Sequence, residues 1–187
     1  MEKKAYIPPK LLFNGQLQTI YPALFRKIKL LTPYVHERII TQDQDFLDLF
    51  WMKQKSKKLV IISHGLEGNA DRAYVKGMAN AHFSEGFDVL AWNYRGCSEQ
   101  INNLPKMYHS GATEDLLAVV NHAEKDYNEI YLIGFSLGAN LTLKFLGEQG
   151  AYKNVKKACA IAAPLDLKSG SLHLNTPKNY LYQRRFM

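Results

Sequence analysis

The chain reads Ile130-Tyr131-Leu132-Ile133-Gly134-Phe135-Ser136-Leu137-Gly138-Ala139-Asn140-Leu141 where a short apolar run meets Gly-x-Ser-x-Gly and then a helical pattern. This order predicts a strand, a sharp turn and a helix. Such a turn holds its serine in a strained backbone conformation, and side chains at 134 and 138 would collide with the neighbouring strand and helix. We therefore predict that Gly134 and Gly138 frame a nucleophile elbow with Ser136 exposed above a sheet. The alternative is a glycine-punctuated turn with a surface serine.

Two backbone N–H groups are the candidates for an oxyanion hole beside this serine. The helix predicted after Ser136 has a positive N-terminal end, which makes the N–H of Leu137 one donor. The apolar run at 59–62 predicts a strand buried on both faces, and it ends in Ser63-His64-Gly65-Leu66-Glu67-Gly68. The loop after such a strand supplies the second donor, which we assign to the N–H of Leu66. We interpret His64 as part of the loop geometry and not as a catalytic base.

The rest of the chain alternates between strand and helix patterns, which predicts a mostly parallel sheet flanked by helices and preceded by an antiparallel hairpin. Arg95 follows a buried strand, and we expect it to form an internal ion pair that anchors its loop. Asp115 and His109 are also interpreted as residues that fix loops. The predicted strands are 38–41, 46–52, 59–62, 87–93, 129–133 and 156–163, and the predicted helices are 74–85, 137–148 and one beginning at 113.

Composition predicts one globular domain in a reducing compartment. The 187 residues are 47% hydrophobic, and Cys97 and Cys159 are too few for a disulfide framework. No signal peptide or membrane span is expected, so the predicted location is cytoplasmic. The net charge of +7 does not predict nucleic-acid binding, because the middle of the chain (61–130) carries 10 acidic and 5 basic residues. Neither cysteine has the spacing of a metal site, and no metal is expected.

Six blocks of residues occur in an order that resembles the YheT-like branch of the α/β-hydrolase superfamily, relatives of the animal abhydrolase-domain-containing lipases and esterases. The resemblance implies a serine hydrolase of carboxylic esters with short or medium acyl chains, without a metal or organic cofactor. It also implies Ser136 as the nucleophile and Leu66 and Leu137 as the oxyanion donors. The blocks are Asn14-Gly15-x-Leu17-Gln18-Thr19-Ile20, His64-Gly65-Leu66-Glu67-Gly68, Asn93-Tyr94-Arg95-Gly96-Cys97-Ser98, Tyr108-His109-Ser110-Gly111, Gly134-Phe135-Ser136-Leu137-Gly138-Ala139-Asn140 and Ala163-Pro164-Leu165-Asp166-Leu167.

The domain organisation expected from this resemblance is an N-terminal arm (1–36) with one short helix, an incomplete core (37–167) and the start of a lid or cap region (168–187). The later strands of the superfamily, which carry its acid and histidine, are expected to be missing. A sheet that ends early exposes an apolar edge, so we expect self-association through that edge.

The catalytic acid and base are the open question in the sequence. Downstream of Ser136 the only histidine is His173, and Asp166 follows a strand end from which some hydrolases draw their acid. A triad of these three residues is one hypothesis, although we favour Asp166 as a residue that fixes its own loop. Two functional alternatives therefore remain. The chain is either a portion of a serine esterase whose acid and base lie beyond residue 187, or a short non-catalytic relative that binds an acyl ligand or a protein.

Overall fold

The computed structural model describes residues 7–150, 152–180, 182 and 184. Outside the described residues lie 1–6 of the predicted arm, 151 of the predicted core, and 181, 183 and 185–187 of the predicted cap region. The strands are β1 (Val35–Ile40), β2 (Phe46–Met52), β3 (Lys58–Ser63), β4 (Asp88–Asn93), β5 (Glu129–Phe135) and β6 (Val155–Ile161). The helices are α1 (Gly15–Phe25), α2 (Ala73–Ser84), α3 (Thr113–Ala123), α4 (Leu137–Gln149) and α5 (Leu167–Leu174), followed by a 3₁₀ turn at Pro177–Asn179.

The six described strands form one sheet in the order β1-β2-β4-β3-β5-β6. β1 and β2 form the predicted antiparallel hairpin, in which Ile40 pairs with Phe46, and β2 also lies antiparallel to β4. The strands β4, β3, β5 and β6 are parallel to one another. This is the mostly parallel sheet with N-terminal antiparallel strands that the sequence predicts. The carboxyl ends of β3 and β5 meet at one edge of this sheet, where Ser63 pairs with Gly134.

Helices cover both faces of the sheet. Alternate residues of its central strands point to opposite sides, so each face presents apolar side chains to the helices that cover it. Leu59 and Ile61 of β3 pack with the apolar side chains of α3 and α4, whereas Val60 and Ile62 pack with those of α2. The continuous apolar run in β3 is therefore explained by a strand buried on both faces, as predicted.

The segment after β6 differs from its prediction. The helices predicted from the sequence include none after residue 167, yet α5 spans Leu167–Leu174. Asp166 caps this helix, since its carboxylate accepts a hydrogen bond from the N–H of Ser169 at 2.9 Å. No residue of α5 is buried, so the helix lacks the apolar periodicity that would have indicated it.

Candidate active site

Ser136 lies between the end of β5 and the start of α4, in the predicted strand-turn-helix. Its φ is 52° and its ψ is −113°, a region that non-glycine residues rarely occupy. The side chain is exposed. The N–H of Ser136 donates to the carbonyl of Ile161 in β6 at 2.9 Å, and its own carbonyl accepts from the N–H groups of Ala139 and Asn140. These hydrogen bonds hold the strained residue from both sides.

The glycines on either side of Ser136 are required by close backbone contacts. A Cβ on Gly134 would lie 2.2 Å from the carbonyl oxygen of Gly138, and a Cβ on Gly138 would lie 2.5 Å from the carbonyl oxygens of Ser63 and His64. Both distances are shorter than atoms tolerate. The first contact fixes how closely α4 approaches β5, and the second fixes how closely α4 approaches the loop that follows β3.

The loop that follows β3 lies directly beside Ser136. A Cβ built on Gly65 would be 3.4 Å from the Cβ of Ser136 and 3.6 Å from the hydroxyl oxygen of Tyr74. The N–H groups of Leu66 and Leu137 donate no hydrogen bond to another residue within the described part of the chain. Each N–H is therefore free to bind an oxyanion, although the assignment of both as donors remains a prediction.

Three tyrosine hydroxyls hold this loop in place. Tyr74 accepts from the N–H of Gly65 at 2.9 Å, Tyr108 accepts from the N–H of Glu67 at 2.8 Å, and Tyr94 donates to the carbonyl of His64 at 3.0 Å. Burial raises the pKa of all three hydroxyls, and that of Tyr108 to about 12. The hydroxyls therefore stay protonated at neutral pH, and the loop is positioned by neutral hydrogen bonds.

His64 is a buried structural residue. Its ring contacts that of Tyr94, with 4.1 Å between the ring centroids. Its Nδ1 lies 2.7 Å from the carbonyl oxygen of Gly65, and its Nε2 is 3.4 Å from the N–H of Tyr94. Both contacts are satisfied when Nδ1 donates and Nε2 accepts, which is one tautomer of the neutral ring. Burial lowers the pKa of His64 to about 4, so the ring is uncharged at neutral pH. This geometry agrees with a role in loop structure.

Arg95 anchors the loop after β4, as predicted. Its side chain is 2% exposed and forms three hydrogen bonds of 2.8 to 3.1 Å with Asp115, which is also buried. It also binds Asp43 at 2.9 Å and Asp45 at 3.4 Å, both in the turn between β1 and β2. The guanidinium thus joins the hairpin turn, the loop after β4 and the start of α3. Asp115 has a structural ion pair, which agrees with the loop-fixing role expected for it.

Asp166 and His173 stand at opposite ends of α5. Asp166 is the N-cap of this helix, and His173 lies in its last turn with an exposed side chain. Within the described residues, no hydrogen bond or ion pair joins the side chains of these three residues. The hypothesis of a triad from these residues therefore has no support in the observed contacts. The hydroxyl of Ser136 has no hydrogen-bonded base in the described part of the chain.

Sequence reasoning missed the three tyrosines as residues of the site. Tyr94 and Tyr108 stand in blocks that carried the family resemblance, and this was the available signal. Tyr74 gave none, because it reads as an early residue of an ordinary helix.

The described residues contain no group of three or more metal-ligating side chains that could hold an ion. Among the same residues, no helix is both long and apolar enough to cross a membrane.

Comparison with known proteins gives the family. The sequence profile of the alpha/beta hydrolase fold matches residues 58–185. The chain is 32% identical over 185 residues to the putative esterase YheT of Escherichia coli, covering 96% of this chain and 54% of that protein. It is 30% identical over 124 residues to a monoacylglycerol lipase of Saccharomyces cerevisiae, covering 65% of this chain and 28% of the lipase. The chain thus spans about half, or less, of the length of these curated relatives.

Solved structures share the fold. The esterase Pf2001 of Pyrococcus furiosus superposes with a TM-score of 0.65 at 26% identity, covering 80% of this chain and 60% of the esterase.

Proposed function

Because the chain belongs to the α/β-hydrolase family, we propose that it is a serine hydrolase of carboxylic esters with Ser136 as its nucleophile. The observation that carries the proposal is the φ of 52° at an exposed serine, held between two glycines that admit no Cβ. A backbone strained at one residue is retained when the strain has a use, and here it presents a hydroxyl at the end of the sheet.

The proposed reaction is acyl transfer in two steps. The Oγ of Ser136 attacks the ester carbonyl carbon, its proton passes to a base, and the alcohol leaves with a proton as the acyl-serine forms. Water then attacks the acyl-serine, which releases the carboxylic acid and restores the hydroxyl. In both steps the N–H groups of Leu66 and Leu137 donate to the oxyanion. The base and its acid are left unassigned, since no described residue hydrogen-bonds to the Ser136 hydroxyl.

The substrate class and the setting are part of the same proposal. Relatives named as an esterase and as a monoacylglycerol lipase support a carboxylic ester as the substrate. We propose a short- or medium-chain acyl group, as the family resemblance implies. We place the reaction in the cytoplasm, a reducing compartment, because Cys97 and Cys159 are both free thiols. No metal or organic cofactor is needed for a mechanism that uses a serine and two backbone donors.

The test is covalent labelling of the chain by a fluorophosphonate, read by intact mass and peptide mapping, together with hydrolysis of p-nitrophenyl butyrate. We expect one label on Ser136 and ester hydrolysis that Ser136→Ala abolishes. The matched control is Ser84→Ala, which removes an exposed hydroxyl at the end of α2 and is expected to keep both signals.

Circular dichroism of each variant separates loss of chemistry from loss of fold. A folded chain that neither labels nor hydrolyses the ester would overturn the proposal for these 187 residues. It would favour either a portion of an esterase whose acid and base lie beyond residue 187 or the non-catalytic binding protein. Labelling that persists in Ser136→Ala would show that another residue is the nucleophile.

A further inference from the structure

A cleft of about 620 Å³ lies between α1 and the loop that joins β3 to α2. Its volume is in the range of about 300 to 1,000 Å³ that is typical of small-molecule sites. Apolar side chains face it from both walls, with Ile20 and Leu24 on α1 and Leu66 on the loop. Leu24 is 61% exposed and Leu66 is 46% exposed. These side chains are therefore available to contact an apolar ligand.

The cleft reaches the immediate surroundings of Ser136. Leu66 lines it, and the N–H of this residue is one of the proposed oxyanion donors. Tyr74 lines it too. Its hydroxyl oxygen and the Cβ of Ser136 lie 3.6 and 3.4 Å from the position that a Cβ of Gly65 would occupy. The ring of Tyr74 also contacts that of Phe135, the residue before the serine, with 4.9 Å between centroids. A ligand in the cleft thus touches the loop on which the proposed chemistry depends.

The chain after α1 holds this wall of the cleft against the body of the protein. Asn80 in α2 forms two hydrogen bonds with this segment. Its Oδ1 accepts from the N–H of Leu31 at 3.0 Å, and its Nδ2 donates to the carbonyl of Lys29 at 2.8 Å. Tyr34 adds a third link to the carbonyl of Ala70, at 3.4 Å. None of the residues of α1 is buried. The helix therefore contributes an apolar surface that the protein core does not use.

We propose that this cleft binds the acyl chain of the ester substrate, with α1 as its outer wall. The inference rests on the proposed function, because it names the substrate class of the same site: esters whose acyl chain is long enough to extend from Ser136 past Leu66 to α1. An acetyl group would leave the cleft empty, whereas a chain of medium length would bury its methylenes there. Each buried methylene adds up to about fourfold in affinity.

The first test measures binding without catalysis. Fluorescence of cis-parinaric acid is titrated against the full chain and then displaced by decanoic acid or by decanol. We expect binding, and displacement by both competitors, because the apolar chain is what the cleft recognises. Arg26 and Arg72 also line the cleft. Displacement by the acid alone would mean that these cations bind an anion, and it would overturn the acyl-chain proposal.

Two variants fill the cleft from opposite walls. Ala23→Phe acts from α1 and Ala73→Phe from the start of α2, and each is expected to weaken parinaric acid binding by about tenfold or more because several methylenes lose their contacts. The matched control is Ala81→Phe, the same change at an exposed helical position that does not line the cleft. The control is expected to stay within about twofold of the unmodified chain.

Hydrolysis separates this inference from the proposed function. In both cleft variants, the kcat/KM for p-nitrophenyl decanoate relative to acetate is expected to fall about tenfold. One outcome would overturn the acyl-cleft proposal and leave the proposed esterase function standing. In that outcome hydrolysis depends on Ser136, but the ratio of kcat/KM for decanoate to that for acetate is unchanged in both variants. Binding that responds to the variants in a chain without ester hydrolysis would support the acyl cleft and overturn the proposed function.

Discussion

Ser136 depends on residues that have no side chain. Its exposed hydroxyl stands at the end of β5 because Gly134 has no Cβ. A Cβ there would lie 2.2 Å from the carbonyl oxygen of Gly138. The atoms in the way belong to the backbone, so no side-chain rotation relieves the contact. The two glycines are therefore needed for the fold as well as for the site.

We predict that Gly134→Ala lowers the free energy of unfolding by about 3 kcal/mol or more, since the new Cβ forces β5 and α4 apart. The matched change is Gly147→Ala in α4, where no atom lies within 4 Å of the added Cβ. That variant is expected to gain about 0.5 to 1 kcal/mol, because alanine loses less backbone entropy in a helix than glycine does. Urea unfolding followed by circular dichroism measures both.

Equal stability of the two variants would contradict the steric argument. The comparison also guards against a general effect of glycine replacement, because both residues lie at or near α4 and receive the same methyl group.

The strain at Ser136 was predictable from sequence, whereas the residues around it were not. Gly-x-Ser-x-Gly between a strand and a helix fixes a local geometry, which short-range contacts determine. The hydrogen bonds of Tyr74, Tyr94 and Tyr108 to the Leu66 loop join residues up to 41 positions apart. Such partners depend on how elements pack, and one sequence does not reveal them.

At the level of elements, Arg95 is the common partner of the β1–β2 turn, the β4 loop and α3. The three aspartates that it binds come from two separate parts of the chain, and Asp45 and Asp115 are buried. Hydrogen bonds from Arg95 and then Thr41 lower the pKa of Asp43 to about 2. Burial would raise the pKa of Asp45, but hydrogen bonds from Asn102 and nearby backbone N–H groups outweigh it and lower the pKa.

We predict that Arg95→Met destabilises the protein by about 3 to 5 kcal/mol at pH 7, since buried carboxylates lose their cation. Lys76→Met is the control, because Lys76 pairs with an exposed Asp71, and it should cost at most about 1 kcal/mol. Urea unfolding at pH 7 gives both values. A small loss in Arg95→Met would show that the carboxylates are satisfied without it.

The same variant is expected to change the acid dependence of stability. In the unmodified chain, Asp43 takes up its proton at about pH 2 when folded and near pH 3.9 when unfolded. Its contribution is therefore complete above about pH 5 and is lost as the pH falls towards 2. Without Arg95 the folded pKa rises, so the free energy of unfolding should fall less steeply between pH 5 and 3. An unchanged slope in Arg95→Met would contradict this assignment.

The elements themselves were predicted to within a few residues where burial leaves a pattern. β2 has the predicted bounds, and α4 extends the prediction by one residue to Gln149. β1 begins at Val35, three residues before its prediction, and none of its residues is buried. The prediction failed at α5, whose exposed leucines have no core to face.

At the scale of the whole molecule, the sheet has a free side at β6. Within the described residues this strand pairs only with β5, and the residues from Lys156 to Cys159 are exposed. Unpaired strand edges are templates for pairing with another chain. We expect the 187-residue chain to associate through this edge.

An antiparallel pairing of two β6 strands about their centre would place Ala158 opposite its copy. We predict that Ala158→Lys makes the chain monomeric, because like charges then stand directly opposite each other. Sedimentation velocity measures the change. The control is Ile40→Lys on β1, the other edge strand, which should leave the association unaltered. Association that only Ile40→Lys removes would assign the contact to β1.

Strand types were predictable at this scale, but the strand order was not. Local pattern separates buried parallel strands from a hairpin, and each of these was predicted. The insertion of β4 between β2 and β3 rests on pairs such as Asp48 with Asn93, which are distant in sequence. Non-local pairing of this kind is decided by the packing of the whole sheet.

The position of β3 between β4 and β5 has a consequence for synthesis on the ribosome. The β1–β2 hairpin is made first, yet its neighbour β4 is completed only at Asn93, and β3 keeps an open side until Phe135 has emerged. Until then the nascent chain carries unpaired strands, which are the surfaces that chaperones recognise and that aggregate. Because the loops around Ser136 follow β3, β4 and β5, the site forms only after all three strands have been made.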